Sequence, residues 1–209
     1  MLLAVVGASG RVGREVVRQA LGHGDLVFAV APDPNAVAAA HPRLRPMPGD
    51  VLDLDSLRAA FADAQAVISV FGVPVGRHDA DLYERGIANV LEAMAESSAD
   101  RLVAVSALGA LDRADLSLAE RLSLLASAKR ACFDDLARME RRIMASGVDW
   151  TIVRPDRVTD GAFTGRYRLG ADGRKLRRGT QISSADLAAF TLKALSTDLY
   201  VRRAVTIAY

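Results

Sequence analysis

The chain has 209 residues, 51% of them apolar and 25% charged, with a formal net charge of +2. That length suits one globular domain over residues 1–209 with a full sheet and a sizeable core, and the near-neutral charge balance gives no reason to expect nucleic acid or a membrane surface as a partner. The lone Cys132 excludes an internal disulfide, and with His23, His41 and His78 far apart in the chain it gives no zinc spacing, so no metal is expected.

Residues 2–6, Leu-Leu-Ala-Val-Val, are a continuous apolar run, the pattern of a parallel strand buried on both faces. They lead directly into Gly7-Ala8-Ser9-Gly10-Arg11-Val12-Gly13. In the residues that follow, to 21, a helix is predicted, with Val12, Val16, Val17, Ala20 and Leu21 on one face. Strand, glycine turn and helix in that order make a dinucleotide-phosphate site. Gly7 permits the tight turn, Gly10 lets the backbone approach a pyrophosphate, and Gly13 lets helix pack on strand, while the helix N-terminus offers free N–H groups and a positive dipole end. Six residues ahead of the glycines are too few for the apolar core of a signal peptide, and no segment is long and apolar enough to span a bilayer. A soluble, cytoplasmic protein is expected.

A second strand is predicted at 26–31, ended by Pro32-Asp33-Pro34, and a weaker third at 44–47, closing at Gly49-Asp50-Val51. Asp55-Ser56 are expected to cap a helix carrying Leu57, Ala60 and Phe61. Residues 66–71 form strand four. A long amphipathic helix over 80–96 buries Leu82, Ile87, Val90, Leu91 and Met94. Strand five is 102–105, a helix covers 134–145, and strand six is 150–153. Ser183-Ser184 cap a last helix running to Leu195, and 204–208 is a final strand. Strands alternating with helices imply an α/β fold, a doubly wound parallel sheet with helices on both faces. In such sheets ligands bind beyond the carboxyl ends of the strands. The residues expected there are Gly7 to Gly13, Asp33, Asp50, Val51, Phe71, Gly72, Ser106, Arg154 and Pro155, gathered in one continuous cleft.

Several segments together resemble the atypical short-chain dehydrogenase/reductase family in its NmrA-like branch: GASGRVG at the start, GDVLDLDSL after strand three, LVAVSALGA at strand five, SGVDWTIVRP at strand six and QISSADLAAF before the last helix. Within that branch the chain is most similar to the biliverdin reductase B / flavin reductase group, through DDLARMERRIMASGVDW and the C-terminal cadence of GRYRLGADGR followed by ISSADLAAFTLKALSTDLY. The resemblance implies a Rossmann-type NAD(P)-binding domain with a small C-terminal substrate-side portion. It also implies NADP as cofactor, with NAD possible, a small planar acceptor as substrate, and a monomer or weak homodimer.

Standard members of that superfamily use a Tyr-x-x-x-Lys pair, whose lysine lowers the tyrosine pKa for proton exchange with a substrate hydroxyl. Here the residues four beyond Tyr83, Tyr167 and Tyr200 are Ile87, Ala171 and Ala204. Alcohol–ketone interconversion by the usual route is not expected. Ser106 stands where the family places its serine cluster, but Ala107 follows it. Its hydroxyl either bonds nicotinamide or substrate, or is a turn hydroxyl satisfied by backbone. Arg157 is either an electrostatic partner for an anionic group of the substrate or a solvated loop arginine. His78 is either a proton donor at the cleft mouth or an unpartnered surface histidine. Cofactor choice has two opposing signals. Asp33 has the character associated with a free ribose 2′-hydroxyl, whereas Arg11 can reach a 2′-phosphate from the glycine turn. Asp50 and Val51 are expected to frame the adenine, and residues 111–133 to form a wall or lid over the acceptor.

Two classes of function fit. One is an NAD(P)H-dependent reductase passing hydride to a flavin, quinone or linear tetrapyrrole. The other is a non-catalytic dinucleotide sensor, favoured by the missing dyad and Ala107. A tailoring reductase or isomerase of a secondary-metabolite pathway is a third reading that the residues neither support nor exclude.

Overall fold

A computed structural model describes residues 1–37, 40–72, 81–110, 130–171, 176 and 181–209. Eight strands form one sheet in the order β3-β2-β1-β4-β5-β6-β10-β8. Its first six strands in chain order are β1 (Leu2–Val6), β2 (Leu26–Ala31), β3 (Leu44–Pro48), β4 (Ala66–Ser69), β5 (Arg101–Val105) and β6 (Asp149–Pro155). Three further strands, β7 (Arg157–Thr159), β8 (Arg168–Ala171) and β9 (Gln181–Ser183), precede the last, β10 (Arg203–Ala208). The α-helices among the described residues are α1 (Arg11–Gly22), α2 (Leu54–Phe61), α3 (Leu82–Ala95), α4 (Arg130–Met144) and α5 (Ser184–Leu195).

Strand alternation explains why both faces of the sheet are apolar. Leu3 and Val5 point into a core shared with α1 and α5. Ala4 and Val6 point into a second core on the opposite face, covered by α2, α3 and α4. The same division repeats along the sheet, with Val103 and Val153 on the first face and Leu102, Ala104 and Ile152 on the second. Parallel strands need crossover connections, and the helices that supply them cover both faces.

The third strand was the weakest in the sequence because it reads Leu-Arg-Pro-Met-Pro, yet it sits where prolines are tolerated. β3 is an edge strand that pairs only with β2 within the sheet, so Pro46 and Pro48 can lack N–H donors without interrupting a central ladder.

Three expectations require correction. The sheet is not wholly parallel, because β8 pairs antiparallel with β10 and closes the far edge. α2 is capped by Asp53, whose carboxylate accepts from the N–H groups of Asp55 and Ser56, so those two residues lie inside the first turn. α4 already includes Arg130, four residues before the expected start. In addition, β7 and β9 pair parallel as a small separate sheet.

Candidate active site at the switch point of the sheet

Strand order reverses direction between β1 and β4, and a crevice opens beyond their carboxyl ends. In open α/β sheets that is where ligands bind. The crevice here has a volume of about 770 Å³ and is walled by the end of β1, the glycine turn, the start of α1 and the ends of β2, β3 and β4, with Leu82 of α3 and Val158 of β7 completing it.

Each glycine of the turn has a distinct steric reason. Gly7 has φ +84°, a conformation L-residues rarely adopt, and a Cβ there would lie 2.7 Å from the backbone of Phe71 at the end of β4. A Cβ on Gly13 would lie 2.1 Å from the Gly7 carbonyl oxygen. The N–H groups of Gly7 and Ala8 both donate to the Val30 carbonyl at 3.1 Å, which ties the turn to β2 and leaves Ala8 fully buried behind it. Gly10 differs from its two companions. It is exposed, it is the N-cap of α1, and it supplies no side-chain cap. The first turn of α1 contains no acidic residue. The helix therefore presents bare N–H donors and an uncompensated positive end to the crevice. This is a cradle that a side chain at Gly10 would obstruct, and it fits a phosphate group.

Among the expected residues, Gly7, Ser9, Gly10, Arg11, Val12, Asp50, Val51, Phe71 and Gly72 line this one crevice. Asp50 accepts from Leu52 N–H at 2.9 Å through Oδ1. Val51 is positioned by Asn89, whose Nδ2 donates to the Val51 carbonyl at 2.8 Å. Phe71 stacks on Tyr83 with ring centroids 5.8 Å apart. Its ring edge lies over Gly86, where a Cβ would come within 2.9 Å of it. Tyr83 and Gly86 thus set the position of the Phe71 wall, a role only their contact across α3 reveals. Val6, Val30, Pro32, Gly49, Val70, Leu82 and Val158 also line the crevice and were not among the residues expected there. Pro32 and Gly49 were read as the residues ending β2 and β3, without being carried into the site. Val158 lies on a three-residue strand with no periodicity to betray it.

Other expected residues lie elsewhere. Gly13 packs beneath the turn. Asp33 is exposed and accepts from Asn35 N–H at 2.9 Å, capping a single 3-10 turn, and it is not part of the crevice wall. Arg154, expected in the cleft, is instead buried in a bidentate ion pair with Glu140 of α4, with Nε–Oε1 at 2.9 Å and Nη2–Oε2 at 2.5 Å. The cause is strand alternation. Residues 152 and 154 share a face of β6, so Arg154 follows Ile152 toward α4. Pro155 ends β6 as a buried residue outside the crevice wall, and Arg157 is exposed, with no ion pair among the described residues. His78 and residues 111–129 of the expected wall lie outside the described residues.

Ser106 follows β5 and is buried. Its N–H donates to the Val153 carbonyl at 2.8 Å, while its Oγ has no partner among the described residues. A buried hydroxyl left unpaired is costly and uncommon, and it offers a donor and an acceptor at the carboxyl edge of the sheet. Asp81, Glu84 and Asp135 converge closely enough to be considered as metal ligands. Their charges are already answered: Arg138 pairs with all three, Arg142 with Glu84, and Asp135 accepts from the α3 N–H groups of Tyr83 and Glu84 at 2.9 and 3.0 Å. That cluster caps and anchors α3.

The strand order, the helices on both faces and the glycine turn at the switch point define a Rossmann-fold nucleotide-binding protein. Comparison with known proteins agrees. The chain belongs to the NAD(P)H-binding family, matched over residues 7–198. A Rossmann-fold NAD(P)-binding family protein from Shigella flexneri superposes with a TM-score of 0.76 at 20% identity, covering 99% of this chain and 92% of that one. An oxidoreductase from Lactococcus lactis gives 0.83 at 16% identity, covering 100% and 90%. A short-chain dehydrogenase/reductase from Veillonella parvula, in complex with NADP, gives 0.80 at 15% identity over 100% and 94%. In sequence, cinnamoyl-CoA reductase 1 of rice is 37% identical over 121 residues, 53% of this chain and 35% of the relative. This chain therefore spans about a third of the length of that curated relative. No helix among the described residues is long and apolar enough to cross a membrane.

Proposed function

We propose that the protein is an NAD(P)H-dependent reductase whose acceptor is a flat conjugated molecule: a flavin, a quinone or a linear tetrapyrrole. The observation that carries this reading is the bare N-terminus of α1 at Gly10, aimed into a crevice at the switch point of the sheet. The bound dinucleotide supplies a hydride. The protein's task is to hold it, to bring the acceptor against its reactive face and to keep water out. Backbone N–H groups at Arg11 and Val12, beside the open face of Gly10, hold the pyrophosphate, while the Gly10 N–H donates to the Gly7 carbonyl at 3.0 Å. Asp50, whose second carboxylate oxygen has no hydrogen bond among the described residues, accepts one from the adenine edge, and Val51 makes the apolar contact beside it. Phe71 and Gly72 form the floor toward the nicotinamide half. Ser106 polarises the reacting end with its unpaired hydroxyl, Pro155 borders it and Arg157 answers negative charge on the acceptor.

The acceptor class follows from what the chain lacks. A carbonyl turning into an alkoxide needs a nearby proton donor, whereas a reduced isoalloxazine or quinol spreads its charge over a ring system. A chain with no Tyr-x-x-x-Lys pair suits the second kind of acceptor. The resemblance to the flavin reductase group supports the same reading, and the reductase name of the rice relative supports only its coarser part, a reductase. Steady-state oxidation of NADPH and NADH against flavins, quinones, biliverdin and small carbonyls tests it. Turnover is expected with a flavin or quinone and is expected to be negligible with simple ketones. In the same assay Ser106→Ala is expected to lower turnover by about tenfold or less, since one neutral hydrogen bond is at stake. Robust ketone reduction would overturn the acceptor class. Tight cofactor binding without turnover on any acceptor would instead favour the sensor.

A further inference from the structure

Arg11 is the first residue of α1, beside the cradle at Gly10, yet its side chain reaches across to a segment 147 residues away. Its Nη1 donates to the Val158 carbonyl at 3.0 Å, and its Nε pairs with the Asp160 carboxylate at 3.1 Å. Val158 itself lines the crevice. The guanidinium thus straps the glycine turn to the chain leaving β7, over the place where an anion is to be held. We propose that Asp160 is an intramolecular competitor for the dinucleotide's phosphates, holding the Arg11 guanidinium until a phosphate displaces it. The proposal rests on the reading of the crevice as a dinucleotide site.

The relative strengths favour exchange. The two side chains are 52% and 83% exposed, so the pair is screened and weak. A phosphate offers several acceptor oxygens in a geometry that suits a guanidinium and makes shorter, stronger charge-assisted bonds. Exchange therefore runs toward the phosphate. It also leaves the Asp160 carboxylate unpaired beside the newly arrived negative charge, so wild-type affinity sits below what the cradle alone would allow. The penalty grows with phosphate charge, which makes Asp160 a determinant of cofactor preference acting against NADPH more than NADH.

Calorimetric titration of the full chain with NADPH and with NADH tests this in four proteins: wild type, Asp160→Asn, Arg11→Ala and the double variant. Asp160→Asn is expected to tighten NADPH by roughly two- to fivefold at low ionic strength, the scale of a surface ion pair, with a smaller gain for NADH and a smaller gain again in 1 M salt. Arg11→Ala should weaken NADPH by about tenfold or more. In that background the Asp160→Asn gain should shrink to the part that direct repulsion between carboxylate and phosphate contributes, because the competitor has nothing left to hold. An unchanged or weaker affinity in Asp160→Asn, or an equal gain without Arg11, would overturn the competition while leaving the dinucleotide site intact. A wild-type protein that binds neither dinucleotide would overturn the site and the competition together.

Discussion

Gly10 and Gly13 belong to one seven-residue motif but answer different physical demands, and substitution should separate them. A Cβ at Gly13 meets backbone on two sides, the Gly7 oxygen at 2.1 Å and the Ala8 Cα at 2.8 Å, with no flexible side chain able to give way. Gly13→Ala is therefore expected to destabilise the fold by about 1–3 kcal/mol, the range for overpacking, read as a lower urea midpoint. A Cβ at Gly10 meets only the Gly7 oxygen, at 3.2 Å, and its remaining space opens into the crevice. Gly10→Leu is expected to keep nearly the wild-type urea midpoint while losing calorimetric binding of NADPH. If Gly10→Leu unfolds the chain as Gly13→Ala does, the assignment of Gly10 to the ligand fails. The steric roles of Gly7 and Gly13 were legible in the sequence because they depend on local backbone geometry. The partners of Arg11 were not, since Asp160 and Val158 come near only once the whole sheet is built. Asp33 shows an ordinary use of an acidic residue after β2, capping the turn of Pro34–Ala36.

At the level of elements, α4 does more than cover the sheet. Asp135 supplies the missing cap of α3: Asp81, at the N-cap position, has φ +64° and makes no side-chain cap, and the buried Asp135 carboxylate takes its place from the neighbouring helix. One turn further along, Glu140 receives Arg154 from β6. Both partners are nearly inaccessible to water, so removing one strands the other's charge in the core. Glu140→Gln and Arg154→Met are each expected to cost about 3–5 kcal/mol in chemical denaturation, and the double replacement Glu140→Leu with Arg154→Met to recover a large share of that loss. Single variants within 1 kcal/mol of wild type would show that the pair is not needed for the packing of α4 on β6. The sequence signalled the helix and the strand through their apolar periodicity. It could not signal that Arg154 turns inward, because an arginine at a strand end reads equally well as a cleft residue until its partner fourteen positions earlier is brought over it.

Across the whole molecule, the doubly wound half was legible because each strand and helix carries its own apolar pattern, whereas the C-terminal portion depends on contacts that no local pattern announces. Strands of three and four residues, β7, β8 and β9, gain their identity only by pairing with partners far along the chain. Asp186 organises this portion. It is fully buried on the first turn of α5, where its N–H donates to the Ser183 Oγ cap. Its carboxylate accepts from Thr164 N–H and Oγ, Gly165 N–H, Ser183 Oγ and the Tyr209 hydroxyl. One side chain thereby joins the loop after β7, the start of α5 and the last residue of the chain. Burial pushes its pKa up, but the hydrogen bonds from Thr164, Gly165 and Tyr209 outweigh burial and hold it below the ordinary aspartate value. The unfolded chain then takes up this proton at a higher pH than the folded one. The stabilisation is complete above the unfolded value of about 3.9 and is lost as pH falls through the lower folded value. Asp186→Asn keeps the shape but sets its amide nitrogen against either the two N–H donors on Oδ1 or the three hydroxyls on Oδ2, so it should be destabilised at pH 7, by about 1–3 kcal/mol or more. The stability difference between wild type and Asp186→Asn, followed by urea denaturation from pH 7 downward, should stay level to about pH 5 and narrow below pH 4. A difference that stays constant down to pH 3, or widens, would mean that the carboxylate charge is not what binds the C-terminal portion to the sheet.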